Sequence, residues 1–180
     1  MSPIAYAQGI DRPHRAVIFC APREPSLASG VAMGMVRWNP KRETTRQEDY
    51  LLKRLHRTRR TRKLFGFLRR HRHELFDDEF QVELESMYRD TGAGKDPVPP
   101  ALMAMAMLLQ GYLGSSDAEA VELSVVDLRW QMVLGCLGAT EPPFSQGALQ
   151  GFRERLIAHD QDRRLLERNV ELAKRTKEFD

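Results

Sequence analysis

The sequence holds only two cysteines, Cys20 and Cys136, far apart and with no histidine or cysteine neighbour at metal-ligand spacing. That speaks against a disulfide framework or a zinc finger, and both read as reduced thiols of a cytosolic protein. Long apolar runs are also missing. The longest core of about a dozen residues falls short of the roughly 20 a membrane-spanning helix needs. The short patch at 16–20 is too brief for a signal sequence and is flanked by Arg15 and Arg23. No stretch has the alternation or the Val/Ile density of a strand, so an all-α fold is expected. There is no G-x-S-x-G, no Gly-rich phosphate loop and no Cys/His nucleophile arrangement. His71 and His73 stand two apart and cannot share a helix face, while His14, His56 and His159 are isolated. Asp117, Glu119, Glu122 and Asp127 read as caps and first-turn acids. Catalytic residues, metal ligands and cofactors are therefore expected to be none.

What is present suits one soluble domain with a tail. Of 180 residues, 42% are apolar and 29% charged, enough to bury a core. Residues 1–43 carry Pro3, Pro13, Pro22, Pro25 and Pro40 without any sustained period, which predicts a disordered or loosely attached leader. The helical domain is placed at 44–180.

That domain centres on 97–114. Pro99 and Pro100 cost nothing at the start of a helix, where the N–H groups lack an intrahelical partner. Ala, Leu and Met follow, and Gly114 sits where a left-handed C-cap belongs. The run is apolar on every face, so other helices must surround it. Upstream, a helix opens at Thr44 or Thr45 with Leu51, Leu52 and Leu55 on one face. Whether the basic stretch beyond it is one long helix or two joined near 58–61 stays open. Asp77 or Asp78 caps a helix striped by Phe80, Leu84, Met87 and Tyr88, with Phe76 as a possible hydrophobic staple. Downstream, Ser116-x-x-Glu119 is a capping box opening a helix to about 124. The next is expected from Asp127 to Gly138, with Leu128, Trp130, Met132, Val133, Leu134 and Leu137 available for burial. Ser145 caps a helix to about 158 that buries Leu149, Phe152, Leu156 and Ile157. The last opens at Asp160, with Leu165, Leu166, Val170 and Ala173 as its buried stripe.

Charge is strongly segregated. From Lys53 to Arg72 there are ten Lys or Arg residues and no acid, followed by eight acids over 74–96 against only Arg89 and Lys95. Phosphate recognition needs clustered cations, preferably arginine with its planar fork. Arg54, Arg57, Arg59, Arg60, Arg62, Lys63, Arg69, Arg70 and Arg72 supply them, so double-stranded DNA is the expected partner. The bland reading is a solvated helix face tied to the acids that follow. A second candidate is a helix-turn-helix pair within 116–157, whose recognition helix would present Gln146, Gln150, Arg153 and Arg155. There, pattern alone favours ordinary helix packing with surface ion pairs.

The succession Leu75-Phe76-Asp77-Asp78-Glu79-Phe80, Tyr88-Arg89-Asp90-Thr91-Gly92, Val98-Pro99-Pro100-Ala101-Leu102-Met103-Ala104-Met105, Ser116 to Leu123, Asp127-Leu128-Arg129-Trp130-Gln131 and Pro143-Phe144-Ser145-Gln146-Gly147-Ala148-Leu149 into Phe152-Arg153-Glu154-Arg155-Leu156 carries a resemblance. From about residue 58 onward the chain resembles the N-terminal, InsH-like domain of DDE-type insertion-sequence transposases. The resemblance implies a helical domain that binds the element's terminal repeats, with strand cleavage left to a separate RNase H-like domain holding two metals on three carboxylates. The chain stops at Phe179-Asp180, where that domain would begin, so it is expected to be truncated before the active site and not itself an enzyme. The alternative is a helical interaction module that pairs with itself or with a full-length transposase as a regulator, or a non-functional remnant. A cytoplasmic location is expected, nucleoid-associated when DNA is bound, with no membrane partner.

Overall fold

The computed structural model describes residues 37–55, 59–88 and 97–179, with backbone alone at 59–62. Every regular element among them is helical: α1 (Arg46–Arg54), α2 (Arg59–Leu75), α3 (Asp78–Glu85), α4 (Pro100–Leu113), α5 (Asp117–Val126), α6 (Leu128–Leu134), α7 (Gln146–Ala158) and α8 (Gln161–Thr176). They pack as a bundle, in accord with the all-α expectation. Of the leader expected over 1–43, residues 1–36 lie outside the described residues.

Local chemistry sets most helix starts. Thr45, Asp77, Ser116, Asp127 and Ser145 each turn a side-chain oxygen onto a backbone N–H of the first turn, and at Thr45 and Ser116 a glutamate reaches back to complete a capping box. The basic stretch belongs to two helices, since α1 ends at Arg54 and α2 opens at Arg59. Phe76, just outside the Asp77 cap, stacks on Phe80 with ring centroids 5.9 Å apart.

Helix α4 lies at the centre as its apolar faces require. Ala101 through Ala106 are all buried, α3, α5, α6 and α7 pack around it, and Gly114 ends it at φ +69°. A second centre is less obvious from sequence. Helix α6 is short, yet Trp130, Gln131, Met132, Val133 and Leu134 are all buried, and α1, α2, α4 and α5 pack on it. It stops at Gly135 (φ +74°) rather than at the expected Gly138. Gln131 holds the loop that follows: its amide donates to the Ala139 carbonyl at 3.1 Å and accepts from the Gly138 N–H at 2.9 Å.

Several faces differ from expectation. Helix α3 ends at Glu85, so Met87 enters the core from a turn rather than from a helical stripe. Ile157 and Leu166, expected inside, are 59% and 58% exposed, and Leu128 and Val170 are exposed as well. In α8 the buried positions are Leu165 and Leu172, a heptad apart. Leu166 lies about 100° around the axis from Leu165 and misses the α2 and α7 surfaces.

Residues 37–43, assigned to the leader from sequence, pack onto this bundle. Trp38 is buried and meets Phe76 edge-on at 5.6 Å, while Arg37 pairs with Glu85 at 2.8 Å. The carbonyls of Lys41 and Glu43 are bonded from α2 by Arg69.

Candidate nucleic-acid interface

The basic run sits at the α1–α2 junction. Lys53 and Arg54 close α1, where cations suit the helix dipole, but Arg59, Arg60, Arg62 and Lys63 open α2 with no acid in its first turn. Cations at a helix N-terminus oppose the dipole, so this arrangement costs the helix stability unless an anion is nearby. Leu64, Phe65, Phe67 and Leu68 then anchor α2 in the core. Arg54 lies exposed with its guanidinium 4.6 Å from the centre of the Tyr50 ring. Lys63 is exposed. Arg57 and the side chains of Arg59, Arg60 and Arg62 lie outside the described residues.

The second half of the run divides by helix face. Arg69 is 1% exposed and grips buried Glu48 with both arms of its fork, at 2.5 and 2.8 Å. It also donates to the carbonyls of Lys41 at 3.1 Å and Glu43 at 2.7 Å. Arg72 is buried too. It donates to the carbonyls of Met132 at 3.0 Å and Val133 at 2.8 Å, so its charge faces the C-terminal end of α6, and it stands 3.8 Å from Glu48. The sequence counted Arg69 and Arg72 among the phosphate-binding cations. Their burial and their internal partners place them in the core, out of reach of a ligand. Burial pushes the Glu48 carboxyl up, but bonds from Arg69 and the Thr45 N–H, with the charges of Arg69 and Arg72, outweigh it and hold the group below its ordinary range.

Arg70 is exposed and pairs with Glu178 beyond the end of α8. Beside it, His71 places Nδ1 2.7 Å from Glu74 and Nε2 2.8 Å from Glu178. Lys53, Lys63 and Arg70 line one cleft together with Asp49, Leu52, Gly66 and Glu178.

The α7 candidates separate as well. Leu149, Phe152 and Leu156 face inward, leaving Gln146 and Gln150 exposed, with the Gln150 amide donating to Glu154 at 3.2 Å. Arg153 bridges helices instead: it donates to Asp117 at 3.1 Å and contacts Gln110 at 3.4 Å, while the Gln110 amide donates to Asp117 at 2.8 Å. The bond from Arg153, opposed by burial and aided by Gln110, holds the Asp117 carboxyl below its ordinary range. Arg155 is exposed and lies 4.7 Å above the Tyr88 ring. Within 116–157 the helices are joined by Asp127 alone and by residues 135–145. Neither junction is the three- or four-residue turn of a helix-turn-helix.

Sequence reasoning missed Trp38, Glu48 and Glu178. Thr45-x-x-Glu48 was legible as a capping box, but the second duty of Glu48 toward Arg69 comes from a contact 21 residues away.

A family model described as a transposase domain (DUF772) matches residues 50–155. The chain belongs to this transposase-domain family. Neither a curated protein nor a solved structure matches it. The family segment opens within α1 and closes within α7, so the transposase domain takes in the basic junction, all of α2 to α6 and the Gln146–Gln150 face. No helix among the described residues is long and apolar enough to cross a membrane.

Proposed function

We propose that this chain is the DNA-binding N-terminal domain of a DDE-type insertion-sequence transposase, recognising the element's terminal repeats, with strand cleavage and joining supplied by a separate RNase H-like domain. The observation that carries the reading is the acid-free basic run from Lys53 to His73, which lies within the family segment and supplies a cationic, acid-free first turn to α2. An anion at that end would offset both the dipole and the mutual repulsion of the arginines. The contact set this reading uses is Arg54, Arg57, Arg59, Arg60, Arg62, Lys63 and Arg70 for phosphates, with Gln146, Gln150 and Arg155 on or beside the exposed side of α7.

The test is titration of labelled duplex DNA against salt. Log affinity should fall linearly with log salt, with a slope of about −0.9 per phosphate contact, and Arg59→Ala should weaken all sequences alike. A chain that binds no duplex at low salt, its own element's ends included, overturns the reading.

A further inference from the structure

Helix α8 ends at Thr176, and Lys177 takes left-handed backbone at φ +53°, a conformation that a residue with a Cβ adopts rarely. The turn folds the last described residues back onto α2. Phe179 meets Phe67 edge-on at 5.1 Å, and the Glu178 carboxylate lies against both Arg70 and His71. Glu178 is thus an acid laid over a segment whose own sequence contains none.

The cleft that Glu178 lines carries more cations than acids. Lys53 comes from α1 and Lys63 and Arg70 from α2, against Asp49 and Glu178. Asp49 is bonded by the Thr44 hydroxyl at 2.6 Å. The Arg70 guanidinium lies over Gly66, where a Cβ would come within 3.1 Å of Arg70 Nη1. Burial pushes the Glu178 carboxyl up, but the bonds from Arg70 and His71 outweigh it and hold the group below its ordinary range. A carboxylate on an arginine fork occupies the positions that phosphate oxygens would take.

We propose that this cleft binds one phosphodiester of the nucleic-acid backbone through Lys53, Lys63 and Arg70, and that Glu178 occupies Arg70 as a competing internal anion until the phosphate displaces it. The assignment rests on the nucleic-acid reading above. It adds Lys53 to the contact set and makes the segment after α8 a mask on the interface. Displacement leaves Glu178 to take up a cation, so the wild-type chain releases about one counterion fewer than its phosphate contacts imply.

The experiment compares the full chain with Glu178→Gln, Phe179→Ala, Lys53→Ala, Arg70→Ala and the double variant Arg70→Ala/Glu178→Gln. Each is titrated with labelled duplex across a salt series, below the melting midpoint seen by circular dichroism. Glu178→Gln should bind several-fold tighter, with a salt slope steeper by about 0.9. Phe179→Ala, which loosens the segment without changing charge, should shift affinity the same way. Lys53→Ala and Arg70→Ala should bind several-fold weaker, and the double variant no tighter than Arg70→Ala. Tighter binding by Glu178→Gln that persists in the Arg70→Ala background would overturn the competition. Binding by the wild type that neither Glu178→Gln nor Phe179→Ala tightens overturns the mask and leaves the nucleic-acid reading standing. No binding by any variant at low salt overturns both.

Discussion

Arg69 on α2 and Glu48 on α1 form a two-armed ion pair inside the bundle, with two further donors of Arg69 on the carbonyls of Lys41 and Glu43. One residue thereby ties the first helix, the second helix and the segment before both. A buried pair of this kind is close to neutral as a whole, but removing one partner strands the other charge and costs about 3–5 kcal/mol. Glu48→Ala should therefore lower the denaturant midpoint sharply, and more than any exposed carboxylate does. A loss within the range of an ordinary surface variant, roughly 0.5 kcal/mol, would contradict the buried pairing.

The same carboxylate gives the fold an acid limit. Glu48, Glu74 and Glu178 all titrate below the ordinary 4.5 in the folded chain. For groups shifted downward, the stabilisation is complete above the unfolded value and is lost as pH falls through the lower folded values. Unfolding free energy should begin to fall as pH drops through about 6.5, because burial holds His73 below its ordinary range while the unfolded imidazole protonates. It should fall further below about 5 as the carboxylates lose their contribution. Glu48→Gln should start less stable and decline less steeply. Parallel urea titrations at pH 7 and in acid would show this, and an unchanged acid slope in Glu48→Gln would remove Glu48 from the account.

Gly114 and Gly135 both end helices at positive φ, +69° and +74°. A Cβ at Gly114 meets nothing within 4 Å, whereas at Gly135 it would come within 3.1 Å of Arg72 Nη1. Alanine at Gly114 should cost only the left-handed penalty, about 1–2 kcal/mol. Alanine at Gly135 should cost more, because it pushes on the guanidinium that bonds the last carbonyls of α6. Equal shifts in melting temperature would mean that Arg72 yields freely.

On α7, neighbouring polar residues should separate by phenotype. Arg153→Ala breaks the bridge to Asp117 and Gln110 and should lower stability by about 1 kcal/mol, the scale of a partly exposed pair. Gln150→Ala removes only the bond to Glu154 and should leave the melt unchanged. If α7 reads bases, Gln150→Ala alters the preference for element ends over random duplex. A loss of fold stability in Gln150→Ala comparable to Arg153→Ala would reverse this assignment.

The helix starts were legible because capping is local. Thr45, Asp77, Ser116, Asp127 and Ser145 each bond a backbone N–H two or three residues on, and the apolar circumference of α4 dictates its central place wherever the other helices run. The stopping point of α6 was not legible, since Gly135 and Gly138 both take positive φ and both suit a helix end.

The sequence by itself determined an all-helical domain with a cationic junction, because helix propensity, caps and charge are carried within a few residues of one another. Only the tertiary structure decided what the cations of the second half of the run do. Arg69 and Arg70 are adjacent and chemically identical, yet side chains one residue apart on a helix point about 100° from each other. One therefore meets Glu48, 21 residues back, inside the core, and the other meets Glu178, 108 residues on, at the surface. Those partners are supplied by packing, which no local pattern in the basic run encodes.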